Sequence, residues 1–212
     1  NFRKPITAAL LSAVLVLSAC DSAEERAQKY YESGMAYLQT GDVDRALVEF
    51  RNVFKFDGKH REARIAYAEA ERKRGNMREA YSQYLRLIEQ YPDDLDGLRA
   101  LSTIAVENGQ WADASPYIAK GLELAPTDEG FKSLSVFRDY GAAVEGSDSS
   151  TVVASVKTAR DLIAANPKDL MARKIVIDDL IRNQSLDKAL VELNAAIEVA
   201  PTERILNAQR LS

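Results

Sequence analysis

Two patterns of apolar residues divide the chain. Residues 6–19 are almost wholly apolar, interrupted only by one threonine and two serines. From Asp21 onwards apolar and charged residues are interspersed, and an alanine is followed four positions later by an aromatic residue, as at Ala46 and Phe50. Residues four apart lie on the same face of an α-helix. The second pattern therefore predicts helices with one buried face, and the chain's low glycine and proline content agrees with that prediction.

Small residues and prolines recur through the helical part at a fixed interval. In each of four sets, successive members lie 34 residues apart. The sets are Gly41, Gly75 and Gly109; Ala46, Ala80 and Ala114; Pro92 and Pro126; and Pro167 and Pro201. Glycine suits a turn residue in the left-handed conformation, alanine suits a close helix crossing, and proline ends a helix. The interval therefore predicts a repeated pair of helices joined by a tight turn.

This 34-residue period, with its glycine, alanine and closing proline, resembles the tetratricopeptide repeat (TPR). The resemblance covers about residues 27–204, and its best-matched stretch is GMAYLQTGDVDRALVEF, residues 34–50. It implies an all-α fold, a right-handed superhelical solenoid of TPR helix-turn-helix repeats. It also implies that the first helix of each repeat lines a concave groove that binds a protein partner.

The period and the apolar run together predict the domain organisation. We expect a lipoprotein signal peptide over residues 1–19, a short tether over 20–26 and three TPR repeats over 27–126. A degenerate fourth repeat with an insertion follows over 127–169, and 170–212 hold a fifth repeat and the start of a truncated sixth. Because a solenoid needs a cap at each end, we expect the sequence to be a piece of a longer repeat protein.

The fourth repeat departs from the period. The spacing between Pro126 and Pro167 exceeds the regular interval by seven positions, and turn-forming residues cluster at 144–150. We interpret the excess as a longer loop between two helices. A binding loop and a change in superhelix direction are the alternatives.

The N-terminal sequence, residues 1–20, predicts a lipoprotein signal. Arg3 and Lys4 precede the apolar run, which at 14 residues is shorter than the roughly 20 needed to span a bilayer. The run ends in Leu-Ser-Ala-Cys, with the chain's only cysteine, Cys20, in last place. This resembles the lipobox of bacterial lipoproteins, and it implies transfer of a diacylglycerol to the Cys20 thiol, cleavage between Ala19 and Cys20 and acylation of the new amine, with palmitate among the chains. The alternative is that Cys20 is a small apolar residue of an uncleaved helix.

The lipobox implies a bacterial envelope protein that faces the periplasm. Asp21 follows the cysteine, and in enterobacterial lipoproteins an Asp there is associated with retention in the inner membrane. We therefore favour the inner membrane, with the outer membrane as the alternative.

Candidate chemistry changes this picture little. The chain has one histidine, one cysteine and no glycine-rich phosphate loop or His–Glu metal motif, so we predict no enzyme activity, cofactor or metal. With 28 basic and 32 acidic residues and a net charge of −4, nothing resembles the basic stripe that nucleic-acid binding needs. We interpret the carboxylate pairs Asp93-Asp94 and Asp178-Asp179 as solvated surface charges.

The resemblance assigns partner-binding groove positions to the first helix of each repeat. They are Gln28, Tyr31, Met35, Leu38, Glu62, Ile65, Glu69, Arg72, Asp96, Arg99 and Thr103, followed in the last repeat by Met171, Lys174 and Asp178. We predict a lipid-anchored scaffold that binds a protein partner in an envelope assembly or export system, such as pilus, exopolysaccharide or outer-membrane biogenesis. The alternative is an accessory or regulatory subunit of a cell-wall or polysaccharide enzyme.

Overall fold

The computed structural model describes residues 21–200, which form ten α-helices and no β-strand. In chain order the helices are α1 Ala23–Gln39, α2 Val43–Phe56, α3 Arg61–Lys73, α4 Met77–Gln90, α5 Leu95–Glu107, α6 Trp111–Leu124, α7 Glu129–Glu145, α8 Ser149–Ala165, α9 Leu170–Arg182 and α10 Leu186–Val199. No helix of this described part is long and apolar enough to cross a membrane. The predicted signal peptide, Cys20, Pro201 and the start of the sixth repeat lie outside it.

The tight turns within the helix pairs have the predicted backbone. Gly41, Gly75 and Gly109 have φ angles of 79°, 82° and 70°. These values lie in the left-handed region, which costs glycine little. In the last two turns Ser147 and Gln184 adopt a φ of 57° instead, so the tight turn persists where the glycine is missing.

Contacts divide the described part of the chain into two compact units, residues 21–83 and 84–200, with the boundary inside α4. In the first unit α1 packs on α2 and α2 on α3. Ala46 and Phe50 are fully buried there, and a Cβ on Gly34 of α1 would come within 2.8 Å of a ring carbon of Phe50. The small residue thus lets the phenylalanine ring lie against the helix backbone, as the repeat pattern predicts.

The second unit holds the rest of the helices. Consecutive helices from α5 to α10 pack on each other, and α7 also contacts both α5 and α9. Ala114, Ile118 and Phe131 are fully buried in its core. The helices α5, α7 and α9 therefore lie side by side, with α7 in the middle.

The seven extra residues of the fourth repeat are helical, so their interpretation as a longer loop is wrong. Both α7 and α8 have 17 residues, whereas α5 has 13 and α6 has 14. The gain of four residues in one helix and three in the next accounts for the whole excess. Asp148 starts α8 directly after the turn, because its carboxylate accepts the backbone N–H of Ser150 and of Thr151. The insertion therefore lengthens a helix pair by one turn per helix.

The interpretation of the carboxylate pairs as solvated is wrong for one of the four residues, Asp94. Asp94 is buried and caps α5 by accepting the Gly97 N–H at 2.8 Å. Asp178 is partly exposed on α9, and it accepts hydrogen bonds from the side chains of Tyr140 and Arg182. Buried helix ends need side-chain acceptors, which is why a loop carboxylate such as Asp94 is drawn into the core.

The N-terminus of α7 is fixed to α5 by a bidentate ion pair. Arg99 donates from its two terminal nitrogens to the two oxygens of Asp128 at 2.9 and 2.7 Å. Asp128 also caps α7 by accepting the Phe131 N–H at 2.9 Å. The hydrogen bond from Arg99 lowers the pKa of Asp128 to about 2, so this carboxylate is ionised at every physiological pH.

Replacing Asp128 by asparagine should lower the free energy of unfolding at pH 7 by about 1–2 kcal/mol, because asparagine still caps the helix but cannot pair with Arg99. The folded-state pKa lies below the ordinary 3.8. The contribution of the charge is therefore present in full above a pH of about 5 and is lost as the pH falls towards 2. Urea unfolding of the wild type and the Asp128→Asn variant at several pH values measures it.

The matched control is Asp187→Asn, which removes an exposed carboxylate from the first turn of α10. Its effect at pH 7 should be a few tenths of a kcal/mol. Equal destabilisation by the two variants would contradict the role of the Arg99 pair.

Candidate functional site

A pocket of about 320 Å³ opens in the second unit where α5, α6, α7 and α9 meet. It is lined by Glu107, Trp111, Phe137, Tyr140, Gly141, Val144, Glu145, Lys174, Asp178 and Arg182. The C-terminal half of α7 supplies five of these ten residues, so the lengthened helix is the main wall. The lining combines an apolar floor with charged groups at its edge, as is usual for ligand sites.

The aromatic floor depends on a glycine. Trp111 begins α6, and its ring centroid lies 6.2 Å from that of Phe137 on α7, with the planes inclined by 51°. A Cβ on Gly141 would overlap the six-membered ring of the indole. The absence of a side chain at Gly141 therefore lets the indole lie directly against α7.

The extra turn of α7 carries Val144 and Glu145 into the pocket. The Glu145 Oε1 atom lies 3.8 Å, and the Trp111 Cζ2 atom 3.7 Å, from the position that a Cβ on Gly109 would take. The carboxylate and the edge of the indole thus lie beside the same point of the turn before α6. The insertion in the fourth repeat is what brings an acidic group to the tryptophan.

Two ion pairs form the other side of the pocket. Lys174 on α9 bonds Glu107 at the end of α5 at 2.9 Å. Asp178 Oδ2 accepts from the Tyr140 hydroxyl and from Arg182 Nε, both at 2.6 Å. Burial, followed by donation to Asp178, raises the pKa of Tyr140. Tyr140 therefore remains a hydrogen-bond donor and holds the carboxylate in place.

Two groups in the pocket have no partner within residues 21–200. The indole Nε1 of Trp111 is buried and donates to no acceptor there. The Glu145 carboxylate makes no ion pair or hydrogen bond with any residue of that range. Buried N–H groups are nearly always hydrogen-bonded. The pocket therefore offers one unpaired negative charge to a ligand, next to a buried N–H that has no acceptor within residues 21–200.

Over the described part of the chain, no group of three or more His, Cys, Asp or Glu side chains is placed to hold a metal ion. The carboxylates at the edge of the pocket are held by cations or by the tyrosine hydroxyl, with Glu145 as the exception.

Several predicted groove residues line this pocket or a second one beside it. Lys174 and Asp178 are in the first pocket. A second pocket of about 270 Å³ is lined in part by Arg99, Thr103 and Met171. Asp96 is exposed on α5. Five of the six predicted positions of α5 and α9 thus line one of these two pockets, and their contact with a partner stays a prediction.

The predicted groove residues of α1 are mostly engaged in packing. Tyr31, Met35 and Leu38 pack against the first unit's core, and the Tyr31 ring lies 5.0 Å from that of His60. Gln28 is exposed and donates to Glu32.

The positions predicted on α3 lie nearer the solvent. Glu62 is exposed, Ile65 is half-buried, and Glu69 accepts a hydrogen bond from Arg72 at 3.0 Å. A role in partner binding for these four residues, as for those of α1, stays a prediction.

Sequence reasoning missed the residues that form the pocket floor and its acidic edge, namely Trp111, Phe137, Tyr140, Val144 and Glu145. The repeat pattern gives no template for α7, because the seven extra residues break the register within that helix. The length of the insertion could have indicated longer helices. Seven residues make two turns of α-helix, so they can add one turn to each helix of a pair and leave the connection between the helices unchanged.

Comparisons with known proteins agree with this architecture. Residues 37–104 match the tetratricopeptide repeat family. A sequence search of curated proteins gives no significant match. The family match covers the end of α1 through most of α5.

Solved structures share the fold. MamA from Desulfovibrio magneticus RS-1, residues 41 to the end, has a TM-score of 0.62 and 13% identity, over 84% of this chain and 97% of that one. YrrB, described as a TPR protein with an unusual peptide-binding site, has a TM-score of 0.56 and 17% identity, over 89% and 94%. PilF of Pseudomonas aeruginosa has a TM-score of 0.57 and 14% identity, over 84% and 78%. These likenesses confirm the predicted all-α helical repeat solenoid.

Replacing Gly141 by alanine should displace the indole of Trp111, because the new methyl group would overlap its ring. We expect a net loss of about 1–2 kcal/mol of stability, since overpacking outweighs the gain in helix propensity. Trp111 is the only tryptophan of the chain, so a shift in its emission maximum reports the displacement directly.

Gly58→Ala is the control, because a Cβ there would meet nothing closer than a backbone oxygen at 3.9 Å. It should leave the emission maximum unchanged. Identical spectra for the Gly141→Ala variant and the wild type would refute the packing of the indole on α7.

Proposed function

We propose that this chain is a lipid-anchored, periplasm-facing scaffold of the bacterial cell envelope that binds a protein partner through the pocket of α5, α6, α7 and α9. The observation that carries the proposal is the pocket itself. It combines an aromatic floor, a buried N–H without an acceptor and an unpaired carboxylate. Such a surface suits a side chain and the adjoining backbone of another protein.

The comparisons support a binding role. The described helices have the fold of tetratricopeptide repeat proteins, and YrrB, which shares that fold, is described as having a peptide-binding site. Solenoids of this kind bind partners on the extended surfaces made by successive repeats. We therefore propose that the protein acts by holding a partner and catalyses no reaction itself.

The anchor is inferred from the sequence. Basic residues, a 14-residue apolar run and a terminal cysteine follow each other in residues 1–20. Two or three acyl chains at Cys20 would hold the protein stably at a membrane, which a single chain does not. Since α1 begins at Ala23, we propose that the helices lie close to the membrane and that the partner belongs to an envelope assembly or export system.

Photo-crosslinking in living cells tests the binding surface. With Val144 replaced by p-benzoylphenylalanine, the pocket should crosslink to a discrete partner band. The same replacement at Val153 should not, although Val153 on α8 is 69% exposed and lies outside the pocket. Crosslinks that form equally from both positions, or from neither, would refute partner binding at this site.

Metabolic labelling with an alkyne analogue of palmitate tests the anchor. The wild type should be labelled and should sediment with membranes, and Cys20→Ala should abolish both properties. Asp21→Asn, the matched control beside it, should keep the label and move the protein from the inner to the outer membrane. Labelling that survives Cys20→Ala would contradict acylation at this residue.

A further inference from the structure

We propose that the pocket takes an arginine side chain of the partner, with its guanidinium between the Trp111 indole and the Glu145 carboxylate. This inference deepens the proposed function and rests on it, because it names the chemistry of the segment that the pocket would hold. Three observations within the second unit lead to it.

The first observation is an internal template for such a site. The Arg99 guanidinium lies 4.3 Å from the centroid of the Phe131 ring while it donates two hydrogen bonds to Asp128. One arginine thus satisfies an aromatic face and a carboxylate at once. A planar guanidinium suits both partners, because it stacks on rings and forks to two oxygens.

The second observation is that the pocket also contains an aromatic ring and a carboxylate, those of Trp111 and Glu145, with no arginine between them. Arginines lie over the rings of Phe56, Tyr37, Phe54 and Phe131. No cation of residues 21–200 lies over Trp111, although indole is the aromatic ring that binds cations most strongly. The nearby Glu145 carboxylate is equally without a partner in that range.

The third observation is the balance of charge around the opening. Glu107, Glu145 and Asp178 face two cations, Lys174 and Arg182. Each cation is bonded to one of the other carboxylates. Glu145 therefore remains as the single excess negative charge, and a third cation from the partner would neutralise the pocket.

The buried Trp111 N–H specifies what accompanies the arginine. It needs an acceptor that the described residues do not provide. An arginine side chain has no acceptor atom, so the acceptor would come from the adjoining backbone of the partner. Because the nitrogen is buried, the indole has to move slightly for that carbonyl to reach it.

Tryptophan fluorescence of the full-length protein in detergent tests the proposal, because Trp111 is the only tryptophan. The probes are blocked pentapeptides, acetyl-Gly-Ala-X-Ala-Gly-amide, with X as arginine, citrulline, lysine or glutamate. The arginine peptide should change the emission saturably. The citrulline peptide, which has nearly the same shape without the charge, should bind about tenfold more weakly. The lysine peptide should fall between them.

Variants at the carboxylate assign the charge. Glu145→Gln should weaken the binding of the arginine peptide about threefold or more. Glu145→Lys should reverse the preference in favour of the glutamate peptide. Glu89→Gln, which removes a carboxylate of α4 outside the pocket, should change nothing.

Three results would overturn the proposal: equal binding of the arginine and citrulline peptides, unaltered binding by the Glu145 variants, or no saturable response to any peptide. The crosslink from position 144 separates this failure from failure of the proposed function. If that crosslink persists while the arginine peptide shows no advantage, a partner binds the pocket by other chemistry. If the crosslink is lost as well, the proposed function fails too.

Discussion

Close contact between an aromatic ring and a glycine on a neighbouring helix is the constraint on which both units depend. Phe50 lies against Gly34, Phe131 against Gly121, and Trp111 against Gly141. In each case a Cβ on the glycine would overlap the ring or press into it, so the helices can approach only because the side chain is missing. Interiors packed to this density transmit a misfit widely. The shape of the pocket therefore depends on an aromatic–glycine contact of the same kind as those in the core.

The fourth repeat shows how a small change in helix length adds a site to a repeated scaffold. One extra turn on each of α7 and α8 leaves the turn between them short. It carries Glu145 past the point where α5 ends and sets it beside Trp111. The repeat that resembles the others least is thus the one that supplies half of the residues lining the pocket. The pocket therefore depends on the departure from the repeat rather than on the repeat itself.

Much of the fold could be predicted from the sequence, because local rules determine it. Gly41 indicated a left-handed turn, and the four-residue spacing of Ala46 and Phe50 indicated a buried helical face. The site could not be predicted to the same degree. Glu145 and Trp111 are far apart in the sequence, and their meeting depends on how the lengthened α7 packs on its neighbours. Nor does a pair such as Asp178-Asp179 reveal that one carboxylate will receive the Tyr140 hydroxyl, since that contact spans 38 residues.

The bond between Lys174 and Glu107 alters how the second unit can come apart. In an ideal linear array each repeat touches only its neighbours, and the ends fray independently of the middle. Here a link spanning 67 residues ties α9 directly to α5 and passes over α7. Opening α9 breaks that link and leaves Glu107 without its counter-ion. Local opening of α9 therefore costs the free energy of this ion pair in addition to the packing of α9 itself, and one end of the unit is coupled in this way to the other.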